Sequence, residues 1–168
     1  MKVVVAVTGS VAACRVVDLV RELIHQGVEV ECAMSAAARN ILNPWVLQWA
    51  SGKKVITEIT GAVEHVRLLG LEGEADTLLI CPATSNTVSK IAHGIDDTVV
   101  TTLAATAVGS GKRVVVVPAM HQSMYDNPFV SENIEKLRKN GVVFVEPRVE
   151  DNKAKIASQG DILSALKD

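Results

Sequence analysis

Aromatic side chains are nearly absent. Trp45, Trp49, Tyr125, Phe129 and Phe144 are the whole complement of a 168-residue chain, 3% of it. A core without large rings has to be filled by small aliphatic groups. Val, Ala and Ile are plentiful, the composition of small helices packed on a fully buried parallel sheet. Cysteine is also sparse: Cys14, Cys32 and Cys81 are odd in number and fall at no metal-ligand spacing. That argues against a disulfide framework or a zinc site and suits small buried residues in a reducing, cytoplasmic compartment. Neither sign of charge dominates, with 17 basic against 19 acidic residues and a formal charge of −2. A general binder of nucleic acid or anionic membrane, which needs a basic excess, is therefore not expected. No apolar run approaches the roughly 18 residues of a membrane span, and the N-terminus lacks the layout of a signal peptide. Repeats and low-complexity linkers are missing too. What remains is a chain 48% hydrophobic and 21% charged, which predicts a single domain over residues 1–168 with its own core.

Short β-branched runs alternate with amphipathic stretches. Val3–Val7, Val28–Met34, Thr77–Cys81, Arg113–Val117 and Val142–Val145 read as strands, the first wholly apolar and so covered on both faces. Between them, Ala12, Val16, Leu19, Val20 and Leu23 share one helical face, with Gly27 placed to end that helix. Ala36–Leu42, Pro44–Ala50, Thr84–Ala92, Thr98–Val108, a segment opened by Asn127-Pro128 and Ile162–Leu166 read as further helices. Val55-Ile56 suggests a short strand, and residues 61–74, punctuated by glycine, show little structure of their own. This order predicts an α/β fold with a doubly wound parallel sheet, whose ligands bind beyond the carboxyl ends of the strands.

The polar residues collect at those ends. Thr8-Gly9-Ser10-Val11 offers a close backbone approach, a hydroxyl and a following helix N-terminus, which can hold a phosphate or a polar cofactor edge. The same residues also make a plain turn with Ser10 as N-cap. No second glycine and no GK[ST] follow, so neither the dinucleotide fingerprint nor a P-loop is present. Thr84-Ser85-Asn86-Thr87 opens a helix with four polar side chains where one suffices as a cap, and the rest can bond an anion or simply face solvent. Pro118 to Tyr125 brings Met120, His121 and Met124 together with the only tyrosine, a mixture suited to a flat organic ligand and equally to a loop packed under the next helix. Of the histidines, His25 and His93 suit helix ends. His65 stands beside Glu64, which could orient it as a general base.

Four of these stations occur in one order: Thr8-Gly9-Ser10-Val11-Ala12-Ala13, Glu64-His65-Val66, Pro82 to Thr87 with Lys90-Ile91-Ala92, and Pro118-Ala119-Met120 with Met124-Tyr125. In this the chain resembles the homo-oligomeric flavin-dependent cysteine decarboxylases, most of all their phosphopantothenoylcysteine branch in its archaeal bifunctional form. The resemblance implies a flavodoxin-like sheet carrying FMN and assembling as homotrimers, or dodecamers of four trimers, with the flavin at a subunit boundary. It places Gly9, Ser10 and Val11 at the flavin and Ser35 near its ribityl phosphate. Thr84, Ser85, Asn86, Thr87 and Ala119 complete the cofactor set, His65 is the base, and Met120, His121 and Met124 grip the substrate. The implied reaction converts 4′-phospho-N-pantothenoylcysteine into 4′-phosphopantetheine. The thiol is oxidised to a thioaldehyde, CO₂ leaves to give an enethiol, and the hydride returns.

Two positions depart from that pattern. His121 stands where the bacterial and eukaryotic forms carry asparagine, and it can hold a substrate carboxylate as a donor or cation. The segment Glu150–Gly160 lacks the usual lid cysteine, leaving Lys153 or Lys155 as candidates to deliver a proton, or as solvated loop lysines. The rival expectations are a flavin-dependent reductase resembling the dihydromethanopterin reductases and a flavodoxin-like electron carrier with no substrate pocket. A related prenyltransferase is disfavoured, since no arginine-rich C-terminal loop is evident.

Overall fold

The structure is a computed structural model that describes residues 1–150 and 153–167, with the backbone alone described at 149–150 and 153–154. Strands β1 (Lys2–Val7), β2 (Glu29–Met34), β3 (Thr77–Ala83), β4 (Arg113–Pro118) and β6 (Val143–Phe144) form one parallel sheet in the order β2-β1-β3-β4-β6. Every residue of β1 and β3 is buried, as their unbroken apolar runs require.

Alternation along the strands builds two cores. Val3, Val5 and Val7 point to one face, with Cys32, Met34, Leu79 and Val115. There they meet α1 (Val16–His25), α3 (Pro44–Ser51) and α9 (Gln159–Lys167). Val4, Ala6, Leu78, Ile80 and Val116 point to the other, against α4 (Glu64–Leu69), α5 (Ser85–Ala92), α6 (Val99–Gly109) and α8 (Pro128–Lys139). The largest fully buried side chains are aliphatic, as the shortage of rings demands. The order β2-β1-β3-β4-β6, which is 2-1-3-4-5 when only the strands of this sheet are numbered, with helices on both faces is the flavodoxin-like arrangement, and its topological switch point lies between β1 and β3.

Most local signals act as expected. Asn127 and Asn43 cap helices that begin with proline, and Gly27 and Gly141 follow helix ends at φ of 79° and 85°. The first helix, however, starts as a 3₁₀ turn, Val11–Arg15, before becoming α-helical. The pair Val55-Ile56 contributes a single bridge, Ala33 to Ile56, on the free edge of β2.

Two expectations need correction. Residues 61–74 are not without structure, because α4 lies within them. Its start has no side-chain cap and its buried Leu68 and Leu69 are held by tertiary packing. Nor is β6 the last strand. β5 (Met120–His121), β8 (Lys153–Lys155) and β7 (Arg148–Glu150) form a small antiparallel sheet beyond the main one, separated from α8 by the short helix α7 (Gln122–Tyr125). Asp151 and Asn152, within the segment Glu150–Gly160 that lacks a cysteine, lie outside the described residues.

Candidate functional site

The switch point is stitched by one side chain. The Thr8 hydroxyl donates to the Pro82 carbonyl (2.7 Å) and accepts the Thr84 amide (3.1 Å), tying the loop after β1 to the end of β3. The Cys81–Pro82 peptide at this end is cis. Gly9 follows, and the reason for glycine is visible: an added Cβ would lie 2.6 Å from the Cβ of Ala37, in the helix α2 (Ala36–Arg39) after β2. The close approach expected there is thus made by α2. Ser10 then caps the 3₁₀ turn, accepting the Ala12 amide at 3.4 Å, and Ser35 caps α2 through the Ala38 amide at 3.2 Å. Thr84 caps α5 through the Thr87 amide (3.2 Å), and their two hydroxyls lie 3.0 Å apart. Ser85 and Thr87 are buried. Asn86 is exposed, and no hydrogen bond among the described residues engages its amide.

A cleft of about 370 Å³ opens beside this stitch. Ser10, Val11 and Ala12 form one wall, Ala119, Met120 and His121 another, and Lys155 and Ile156 a third. The third wall is held in place by the small sheet, where Met120 pairs with Ala154 and His121 with Lys153. A second cleft of about 380 Å³ shares Arg15 and Ile156 with the first and runs on past Asp18, Arg148 and Ser158.

The imidazole of His121 has a defined orientation. Nδ1 accepts the backbone N–H of Ser123 (3.2 Å) and lies 2.7 Å from its hydroxyl, capping α7. In the neutral ring the proton therefore sits on Nε2, which can donate. Tyr125, in the same helix, donates to Glu146 at 2.9 Å; its burial, with that carboxylate beside it, pushes the phenol up to about 12.

His65 is positioned separately. Among the described residues no hydrogen bond joins it to Glu64, whose carboxylate accepts the Thr60 hydroxyl (2.5 Å) and amide (2.9 Å); these bonds hold that carboxyl below the usual carboxylate range. The expectation that Glu64 orients His65 is thereby corrected, because Glu64 spends itself tying down the loop before α4. Val63, two residues before His65, is the only non-glycine residue at positive φ among those described (46°), a costly conformation for a β-branched side chain. Arg67, one helical turn from Glu64, grips the buried Glu31 of β2 through both nitrogens, at 3.3 and 2.8 Å. His65 Nδ1 is buried with no hydrogen-bond partner among the described residues.

The cleft thus unites Ser10, Val11, Ala119, Met120, His121 and Lys155. Gly9, Ser35 and Thr84–Thr87 stand behind or beside it as caps and turns, and Met124 is exposed outside its walls. Lys153 contributes backbone pairing, and its side chain lies outside the described residues. His65 belongs to α4, on the face of the sheet opposite the core that Ala119 and Ile156 join, and no wall of the His121 cleft includes it. Arg15 was missed from sequence, although five residues after Ser10 at the end of a short turn is a place from which a long side chain can reach the same rim.

A family model described as Flavoprotein matches residues 1–168. The chain is 53% identical over 163 residues to the coenzyme A biosynthesis bifunctional protein CoaBC of Thermococcus kodakarensis, covering 96% of this chain and 40% of that protein. It is 33% identical over 170 residues to the probable phosphopantothenoylcysteine decarboxylase of Streptococcus mutans, covering 99% of this chain and 92% of that one. The solved structure of the FMN-dependent cysteine decarboxylase SpaF matches with a TM-score of 0.82 at 30% identity, over 99% of this chain and 97% of that one. The chain therefore spans about two fifths of the bifunctional CoaBC relatives and 92% of the Streptococcus mutans protein. Among the described residues no helix is long and apolar enough to cross a membrane.

Proposed function

The chain belongs to the flavoprotein family, and we propose that it is an FMN-dependent decarboxylase that converts 4′-phospho-N-pantothenoylcysteine into 4′-phosphopantetheine and CO₂ in coenzyme A biosynthesis. The observation that carries this reading is the cleft at the switch point, where Ser10 and Val11 face Met120 and His121 across a partly apolar floor. The donor set suits FMN. Val11, Ala12, Met120 and Ile156 offer apolar surface to a flat ring, while Ser10, Ser35 and the first turn of α5, with Ser85, Asn86 and Thr87, offer hydroxyls and amides to the ribityl phosphate. When bound, FMN supplies a reversible hydride acceptor, so that the cysteine thiol can be oxidised to a thioaldehyde and the enethiol reduced after CO₂ is lost.

The protein side chains handle protons and the carboxylate. His65 takes the thiol proton as general base. His121 donates from Nε2 to the substrate carboxylate and aligns it for departure, doing with an imidazole what an amide could do by hydrogen bonding. Lys155, which lines the same cleft, returns a proton to the enethiol carbon. The protein works in the cytoplasm, where its three free cysteines stay reduced.

The site is completed between copies of the chain, in a homotrimer or a dodecamer of trimers. Two observations support this assembly. His65, on α4, is not among the residues that line the His121 cleft of the same chain. Trp45, Trp49 and Phe129, three of the five aromatic residues, are 78%, 66% and 74% exposed, more apolar surface than a lone small domain needs.

The test is to incubate the flavin-loaded protein with phosphopantothenoylcysteine and follow CO₂ and phosphopantetheine by mass spectrometry. Stoichiometric release of both is expected. His65→Asn should keep flavin and assembly while turnover falls by roughly a hundredfold or more. Decarboxylation by that variant at the wild-type rate removes His65 from the mechanism.

A further inference from the structure

The helix that carries His65 has little of its own to hold it. It is six residues long, follows the strained Val63 without a side-chain cap, and is far too short to be stable alone. His65, Leu68 and Leu69 stand at i, i+3 and i+4 and so share its inner face, where both leucines are fully buried. The His65 Nδ1 is enclosed on that side, and no hydrogen bond among the described residues reaches it. The place of the imidazole therefore follows from the place of the helix. Buried leucines resist lifting α4 off the sheet, but apolar packing is non-directional and restrains rotation about the helix axis weakly. Arg67 adds the directional restraint from the outer side. Its two terminal nitrogens donate to the two carboxylate oxygens of Glu31 on β2, at 3.3 and 2.8 Å, a fork that fixes direction as well as distance. Nη1 also donates to Glu74, beyond the helix, at 3.1 Å. Glu31 is held in turn by Lys2 of β1 at 2.8 Å, and its side chain is only 10% exposed. The fork is thus anchored in the sheet and shielded from the solvent that makes surface pairs weak.

We propose that Arg67 is a positioning residue for the decarboxylation: its fork on Glu31 sets the roll of α4 and, through it, the aim of His65. This rests on the reading of His65 as the general base and adds what holds that base in place. A side chain reaches about 5–6 Å from its helix axis, so a roll of roughly 10° moves the imidazole by about 1 Å, and a misplacement of that size can cost on the order of a hundredfold in rate. Arg67 lines no wall of the His121 cleft. Its effect is therefore carried by the base and leaves the binding of substrate and flavin alone.

The experiment follows CO₂ release from phosphopantothenoylcysteine by the flavin-loaded protein as wild type, Arg67→Met and Arg67→Lys. Arg67→Met should lower kcat by roughly ten- to a hundredfold, with KM and the bound-flavin absorbance at wild-type levels. Arg67→Lys keeps the charge without the fork and should recover part of the loss. The decisive arm adds Arg67→Met to His65→Asn. The residual rate should then change by less than about twofold, because the residue acted on is already gone. Should Arg67→Met fail to fold, Glu31→Gln serves both comparisons, since it leaves the fork a single acceptor oxygen and should lower kcat in the same sense. A loss in the His65→Asn background as large as in wild type overturns the proposal, as does a wild-type kcat in the variant. So does a raised KM, which would put Arg67 on the substrate, or lost flavin, which would make its role structural. Wild-type turnover by His65→Asn removes the base, and no CO₂ from wild type removes the decarboxylase reading; either takes this assignment with it.

Discussion

Glu31 shows how a single carboxylate can organise a region. It is almost buried on an edge strand, and burial alone would push its carboxyl up. Hydrogen bonds and charge from Arg67 and Lys2 outweigh that and hold it at about 2. Because the folded value lies below the ordinary 4.5, the stabilisation is complete above that pH and drains away as pH falls towards 2. It amounts to on the order of 3 kcal/mol. Urea unfolding between pH 5 and pH 2 should therefore show wild type losing more stability than Glu31→Gln. The variant starts weaker at pH 5, because Lys2 and Arg67 have lost a partner. Parallel pH profiles for the two proteins would mean that Glu31 does not carry this dependence. None of this was legible beforehand, since Lys2, Glu31 and Arg67 are far apart in the chain and nothing local in their neighbourhoods announces a pair.

The loops and short helices at the strand ends depend on close fits between neighbouring elements. The first turn after β1 and the helix α2 touch at Gly9 and Ala37, leaving no room for a methyl group. Gly9→Ala should destabilise the protein by about 1–3 kcal/mol and let FMN escape more readily, since α2 also carries the Ser35 cap. Adding Ala37→Gly removes the opposing Cβ and should restore much of the stability. A double variant as unstable as the single one would show that the contact is not the cause. The motif around Gly9 was readable as a tight βα turn, but the identity of the group that crowds it was not. The same contrast holds for α4. Six residues without a side-chain cap give no periodic signal, and the helix exists because Leu68, Leu69 and Arg67 find partners on β2, β3 and α6. β7 and β8 escaped notice for a related reason: strands of three residues are held by pairing with one another and with His121, and a polar segment shows no alternation to betray them.

At the scale of the whole molecule, the separation of His65 from the His121 cleft makes a direct prediction about assembly. His65→Asn and His121→Ala should each be inactive alone. Mixed under conditions that exchange subunits, they should regain activity, because a boundary site can take its base from one chain and its carboxylate-holding imidazole from the next. Sedimentation should show oligomers throughout, and mixed oligomers without activity would put both residues in the same chain's site. What the sequence by itself determined is the layered sheet and the position of the polar loops. Unbroken β-branched runs must be covered on both faces, and glycine, proline and capping residues mark where each run stops, so the functional residues gather at known ends. What only the tertiary structure decided is which of those ends face one another. The Thr8 stitch, the Arg67–Glu31 grip, the pairing of His121 with the β7–β8 segment and the place of Arg15 between two clefts are contacts between distant parts of the chain, set by packing geometry rather than by local preference.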